Sequence, residues 1–281
     1  MRIRLVPGNL GLPVSGGVRQ HCLQLRRHIA PLVELTDDPQ AFTHVQSTYL
    51  APRCDVFTCH GGFYPAPPIP AVVANLHKAK RIISVAKWIV DVYFPDLAHK
   101  TVVIPNGVCL ADWDAVPEGK SGYTPGYVLV KAYHAWPEHC RMICDVIERM
   151  PQQHFIVIGN PHGVGMPSLK NMSILSVPVA EEHMARIIRD CGAFVSPSSE
   201  VNPVMALEAM ACSKAVFGLD MHGNREVIMP YARYADADGL VKLLRDPALR
   251  SGVENHKLVG YQHDWRKLAN DTLAVYEAAG G

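Results

Sequence analysis

Two glutamates flanking the start of a helix are the side chains in this sequence best placed for chemistry. Asp190-Cys-Gly-Ala-Phe-Val-Ser196 is apolar and of strand length, and Pro197, Ser198 and Ser199 make a polar turn before Glu200. Val204 to Cys212 is then built from good helix formers. A strand, a turn and a helix bring a ligand to a helix N-terminus beside the carboxyl end of the strand, where free N–H groups favour an anion. Glu208 lies eight residues beyond Glu200, about two turns at ~3.6 residues per turn, so both carboxylates can face one cleft. The plainer reading of the same spacing is one carboxylate stabilised by the helix dipole and one ordinary surface glutamate.

Other positions have the right chemistry for a site. Gly16-Gly17 precedes a helical stretch, and glycines there let the backbone approach a ligand and offer N–H groups to an anion. A tight turn without a ligand explains them equally well. His60 ends the strand-like run Cys54 to Cys59 ahead of Gly61-Gly62, a position open to a cleft; a histidine satisfied by the backbone is the alternative. Cys140 and Cys144 are one helical turn apart beside His139, but no second pair with zinc spacing follows, which favours structural thiols. The eight cysteines are scattered and several sit in apolar patterns, as reduced buried thiols do.

Around these residues the chain reads as alternating strands and helices. Strands are expected at Ile3–Pro7, Leu32–Leu35, Cys54–Cys59, Arg81–Val85, Thr101–Ile104, Tyr127–Lys131, His154–Ile158, Asn171–Ser176, Asp190–Ser196 and Ala215–Gly218. Helices are expected at Val18–Ile29, Ile69–Ala79, Ala86–Phe94, Arg141–Arg149, Glu181–Arg189, Val204–Cys212, Leu240–Leu249 and His263–Ala279. This alternation implies an α/β protein with doubly wound parallel sheets. A chain of 281 residues allows one large or two modest domains. A net charge of +1 gives no global electrostatic case for nucleic acid or acidic membrane. No apolar run reaches transmembrane length and the N-terminus enters a strand directly, from which a cytoplasmic protein is expected.

Several stretches together resemble the GT-B glycosyltransferases, in particular the large retaining group (glycosyltransferase family 4-like, glycosyl transferases group 1) with two glutamates separated by seven residues. They are Pro197-Ser-Ser-Glu200, Leu207-Glu-Ala-Met-Ala-Cys212, Ala215-Val-Phe and Gly223-Asn-Arg-Glu-Val-Ile228. Upstream, Ser15-Gly-Gly-Val18, Asp55-Val-Phe-Thr-Cys-His-Gly-Gly62 and Ile104-Pro-Asn-Gly-Val108 follow that family's order over nearly the whole chain. The resemblance implies two Rossmann-like domains facing a cleft. Residues 1–107 would form an acceptor-side domain, shorter than usual, and 108–262 a nucleotide-sugar-binding domain, with 263–281 crossing back to the first.

It further implies a retaining, metal-independent transferase without cofactor, moving a hexosyl or pentosyl group from a UDP- or GDP-sugar to a hydroxyl. Glu208 would hold the ribose, and Glu200 with the stretch Val201, Asn202, Pro203 and Val204 the sugar, Asn202 through its side chain. His60 would contact the transferred sugar, Gly16 and Gly17 would lie near the diphosphate with Arg19 a helper, and the stretch at Val179 would pack the base. The sequence departs from the family twice. Val201-Asn202-Pro203 replaces a Gly-aromatic-Gly, and Pro203 has no N–H to donate. The usual cation pair for the diphosphate is replaced by Lys131, His134 and Arg141, with Lys131 the first choice. The acceptor (glycan, lipid-linked glycan, small molecule or modified DNA base) is open. Rival readings are a virus-type transferase acting on hydroxymethylated bases in DNA, a sugar epimerase of the same fold, and a non-catalytic nucleotide-sugar-binding protein.

Overall fold

A computed structural model describes the chain except residues 7–16, 47–50, 62–69, 133–134, 160–165, 177–178, 199 and 251. It divides into two compact units, Met1–Gly107 with His263–Gly281, and Val108–Gln262.

The first unit holds a six-stranded parallel sheet of β1 (Arg2–Val6), β2 (Glu34–Leu35), β3 (Phe42–Gln46), β4 (Val56–Cys59), β5 (Arg81–Ser84) and β6 (Thr101–Val103), in the order β2-β1-β3-β4-β5-β6. Helices α1 (Gly17–Ile29), α2 (Pro70–Lys78) and α3 (Lys87–Tyr93) connect them. Parallel strands covered on both faces need continuous apolar runs; Ile3, Leu5, Val56 and Ile83 supply them and pack against Leu25 and Ile29 of α1.

No strand was expected between Leu35 and Cys54, yet β3 lies there, at the middle of the sheet. Ile3 to Val6 of β1 face Phe42 to Val45, and His44 to Gln46 face Val56 to Thr58 of β4. All five β3 residues are buried, but Thr43, His44 and Gln46 interrupt the apolar pattern that betrays a core strand. Polar groups there are tolerated only with hydrogen-bond partners, and these partners shape the site described below.

The second unit carries β7 (Val128–Lys131), β8 (Phe155–Ile158), β9 (Met172–Leu175), β10 (Ala193–Ser196), β11 (Ala215–Leu219) and β12 (Arg233–Tyr234), all parallel, in the order β12-β11-β10-β7-β8-β9. Its helices are α4 (Leu110–Asp114), α5 (Pro137–Glu148), α6 (Glu181–Asp190), α7 (Val204–Ala211), α8 (His222–Val227), α9 (Ala237–Arg245) and α10 (Val253–Gln262). The core is one large cluster in which the strands β7, β8, β10 and β11 are covered by α5, α6, α7 and α9.

Three helix ends move by three residues or more, and the strands expected from Leu32 and from Asp190 begin later, at Glu34 and Ala193. α5 begins a turn before Arg141, because Pro137 fits the first helical position, where its missing N–H is no loss. α9 begins before Leu240, since the Asp236 carboxylate accepts from the Gly239 N–H at 2.8 Å. It stops at Arg245, ahead of Pro247, where a helix to Leu249 was expected. α4, β12 and α10 were not anticipated.

The last helix, α11 (Trp265–Ala278), belongs to the first unit, where it packs on α1 and β5 through Trp265, Leu268 and Tyr276. Its N-cap is Asp264, which accepts from the Arg266 N–H at 2.8 Å. Gly107 permits this docking: a Cβ there would stand 2.5 Å from Leu268 Cδ1 and 2.8 Å from the His263 carbonyl oxygen.

Candidate active site

Each sheet has one place where the strand order turns back on itself, and in open α/β sheets the crevice beyond the strand carboxyl ends at that point is where ligands bind. In the second unit it lies between β7 and β10, with β8 and β9 added on one side and β11 and β12 on the other. Lys131 is the last residue of β7, and Glu200 follows the turn after β10. Their side chains form an ion pair in which the Lys131 side chain is 5% exposed and Glu200 17%. The Ser198 hydroxyl donates to the second Glu200 oxygen at 3.2 Å.

Glu208 shares this environment. One turn into α7, it feels the Lys131 charge, which favours its ionised form, and the Glu181 and Glu200 charges, which oppose it. Burial of its carboxyl, reinforced by the two like charges, outweighs Lys131 and pushes its pKa up to about 8. Lys131, Glu200 and Glu208 thus converge at one strand-to-helix junction, as the spacing allowed.

The junction is held from behind. A Cβ on Gly223 of α8 would meet the carbonyl oxygens of Glu200 at 2.1 Å and Val201 at 2.4 Å, so only glycine lets α8 press on this backbone. Next to it, fully buried Asn224 donates to the carbonyls of Leu219 (2.9 Å), Ser198 (3.3 Å) and Ser196 (3.4 Å), tying the ends of β10 and β11 to the turn. The glycine was noticed in the sequence; the work of Asn224 was not, because only packing reveals its partners.

The remaining expected site residues divide. Val201, Asn202 and Pro203 make the turn into α7, Asn202 and Pro203 being buried, and Val204 opens the helix. Val179 stands just before α6 and packs on the core of the unit. Arg141 is exposed on α5, with no contact to Lys131, Glu200 or Glu208 among the described residues. Gly17 is the first residue of α1. Gly16 and His134 lie outside the described residues. All eight cysteines are free, Cys140 and Cys144 being buried on α5. Among the described residues no helix is long and apolar enough to cross a membrane.

In the first unit the order turns back between β1 and β3. Three buried histidines gather on this side of the sheet: His21 from α1, His44 from β3 and His60 just past β4. His60 Nε2 lies 2.9 Å from Gln46 Oε1, and the Gln46 amide nitrogen 3.1 Å from His44 Nε2. His44 Nε2 also meets Thr58 Oγ1 at 2.7 Å, and its Nδ1 meets the Tyr276 hydroxyl at 2.6 Å. His21 stands edge-on to the rings of His60 (4.5 Å between centroids) and Trp265 (4.9 Å), with its Nδ1 2.9 Å from Asn106 Oδ1. His263 Nδ1 in turn donates to the Asn106 carbonyl at 2.9 Å.

Burial lowers all three pKa values, to about 4 for His21 and about 3 for His44, where the His21 field adds to the effect. His60 lies well below the usual value for the same reason, with both neighbours contributing. At neutral pH the cluster is uncharged. His60 was singled out from the sequence, but His21, His44, Gln46 and Asn106 were not. An unassigned strand hid two of them, and nothing local marked the others apart from the turn signal at Pro105-Asn106-Gly107.

Two parallel six-stranded sheets, each with its polar groups at the strand carboxyl ends, can be compared with solved structures. Sucrose-phosphate synthase from Thermosynechococcus elongatus aligns over 99% of this chain and 98% of its own at a TM-score of 0.72 and 15% identity. The chain has the GT-B fold. A glycosyltransferase from Rickettsia africae (TM-score 0.71, 11% identity, 99% and 98% covered) shares this GT-B architecture. So does HepE from Anabaena, solved with UDP and glucose (0.71, 11%, 99% and 100%). No family model and no curated protein matches the sequence. The GT-B likeness is therefore one of three-dimensional structure at low identity.

Proposed function

We propose that this GT-B protein is a glycosyltransferase that moves a sugar from a nucleotide diphosphate sugar to an acceptor hydroxyl with retention of anomeric configuration. The observation that carries the reading is the meeting of one buried cation and two glutamates at the switch point of the second unit, Glu200 paired with Lys131 and Glu208 held towards its neutral form by burial. A diphosphate needs a cation and N–H donors; a ribose and a hexose need acceptors. Lys131 and the N-terminus of α7 supply the first, Glu208 and Glu200 the second. HepE, solved with UDP and glucose, supports a uridine nucleotide as the first donor to try.

In this reading Glu208 binds the ribose hydroxyls and Glu200 the hydroxyls of the transferred sugar. On donor binding Lys131 turns from Glu200 to the β-phosphate, and the Glu200 carboxylate takes hydrogen bonds from the sugar hydroxyls in its place. The bond from the anomeric carbon to the β-phosphate oxygen breaks, and the acceptor oxygen bonds to that carbon on the same face. The acceptor proton passes to the departing phosphate oxygen. Lys131 stabilises charge that grows as the leaving group departs, so its contribution is to the transition state. In the first unit we assign substrate contact to His60, a neutral imidazole able to accept from a sugar hydroxyl.

The test is a thermal-shift screen of nucleotides and nucleotide sugars followed by turnover of radiolabelled donors. A ligand that binds only the native state raises its stability by mass action. We expect UDP or GDP and their sugars to raise Tm, Glu208→Ala to abolish the rise, and labelled sugar to appear in product or, slowly, as free sugar. Absence of any nucleotide-dependent shift sinks the reading. Binding without turnover supports a nucleotide-sugar sensor instead.

A further inference from the structure

We propose that Gln46 and His44 are positioning residues that fix the tautomer of His60, keeping its proton on Nε2 and presenting Nδ1 as the acceptor for a substrate hydroxyl. The proposal rests on the assignment of His60 to substrate made above. An amide oxygen only accepts, so His60 Nε2, 2.9 Å from Gln46 Oε1, must carry the hydrogen. A neutral imidazole has a single N–H, which leaves a lone pair on Nδ1. That atom makes no hydrogen bond to any described residue.

The same amide sets the next ring inward. The Gln46 amide nitrogen only donates, and its partner at 3.1 Å is His44 Nε2, which must therefore be a lone pair. His44 then carries its hydrogen on Nδ1 and donates to the Tyr276 hydroxyl at 2.6 Å. The Thr58 hydroxyl, 2.7 Å from the same His44 Nε2, and the Tyr276 hydroxyl can each donate or accept and follow the amide, so the Gln46 amide alone sets the direction, and reversing it would turn His60 Nδ1 into a donor. His44 and Gln46 stand two residues apart on β3, and through their contacts the Tyr276 hydroxyl of α11 is linked to His60 at the end of β4.

The experiment is long-range 1H–15N correlation on the full chain with 15N-labelled histidine at pH 7.5, the His60 signals being those missing in His60→Gln. The expected pattern is the Nε2–H tautomer in the wild type. Gln46→Met, which keeps volume but removes both bonds, should show both tautomers. Tyr276→Phe, which removes only the far acceptor, should show a smaller admixture and decides the matter if Gln46→Met does not fold. In transfer assays Gln46→Met should lower kcat about tenfold while donor KM stays within about twofold, since the ring is misplaced and the nucleotide is not. An Nδ1–H tautomer in the wild type, or a His60 pattern unchanged in both variants, overturns the proposal. If the wild type turns over no donor, the functional reading falls, whereas the tautomer of His60 is still measured.

Discussion

The two switch points use opposite electrostatics. In the first unit His21, His44 and His60 are held neutral by burial and satisfied by amides and hydroxyls. In the second, Lys131 and Glu200 pair as ions while Glu208 is pushed towards its neutral form by burial and by like charges. A neutral network orients donors and acceptors without attracting charge; an ionic one can be exchanged for the charges of a phosphate. The difference teaches that one fold, used twice, places polar groups at the same topological point and lets burial decide which chemistry they perform.

The contrast can be broken first by acid. Histidines whose folded pKa lies below the unfolded 6.5 leave the unfolded state holding more protons as pH falls, so stability is full above pH 6.5 and is lost towards pH 4. His21 and His44 together should cost about 4 kcal/mol by pH 5, from ~1.4 kcal/mol per pK unit. Hydrogen exchange resolved by unit should show the loss in Met1–Gly107 and α11 rather than in Val108–Gln262; an equal loss in both removes the contrast.

Next in size is Lys131→Met. Without the cation, transfer should fall at least ~100-fold, about 3 kcal/mol of transition-state stabilisation, and the loss should sit mainly in kcat. A fall confined to KM would make Lys131 a binding group only.

A third measurement sharpens the second unit. Glu208 has a folded pKa of about 8 against 4.5 unfolded, so here the folded state holds the extra proton and stability declines as pH rises from about 4.5 to 8. Glu208→Gln should remove that decline and be the more stable of the two proteins at pH 8.5. Parallel curves for the two proteins in urea titrations would contradict the burial of this carboxyl.

The smallest effect is expected of Gly223→Ala. The added methyl meets backbone rather than a side-chain tip, so the turn must shift, at a cost of about 1–2 kcal/mol. Nucleotide affinity should weaken with it, and calorimetry of unfolding and of binding reads both.

What was legible followed local rules. The turn Pro197 to Glu200 leading into α7, the glycine at Gly223 and the histidine at the end of β4 all sit where strand, turn and helix signals coincide. What was hidden lacked such signals. β3 was missed because Thr43, His44 and Gln46 are polar residues in a buried strand, and a hydrophobic pattern records burial only for apolar side chains. Arg141, noticed for its charge and its place after β7, lies exposed on α5.

Alternation of apolar runs with amphipathic stretches, read along the chain, already dictated parallel sheets wound with helices, because backbone hydrogen bonding and burial of apolar surface act on neighbours in sequence. Which polar groups are charged, which are neutral and which way a proton points was decided only in three dimensions. Desolvation and hydrogen bonding depend on partners brought from far along the chain: Glu200 to Lys131, Tyr276 to His44, Asn106 to His21.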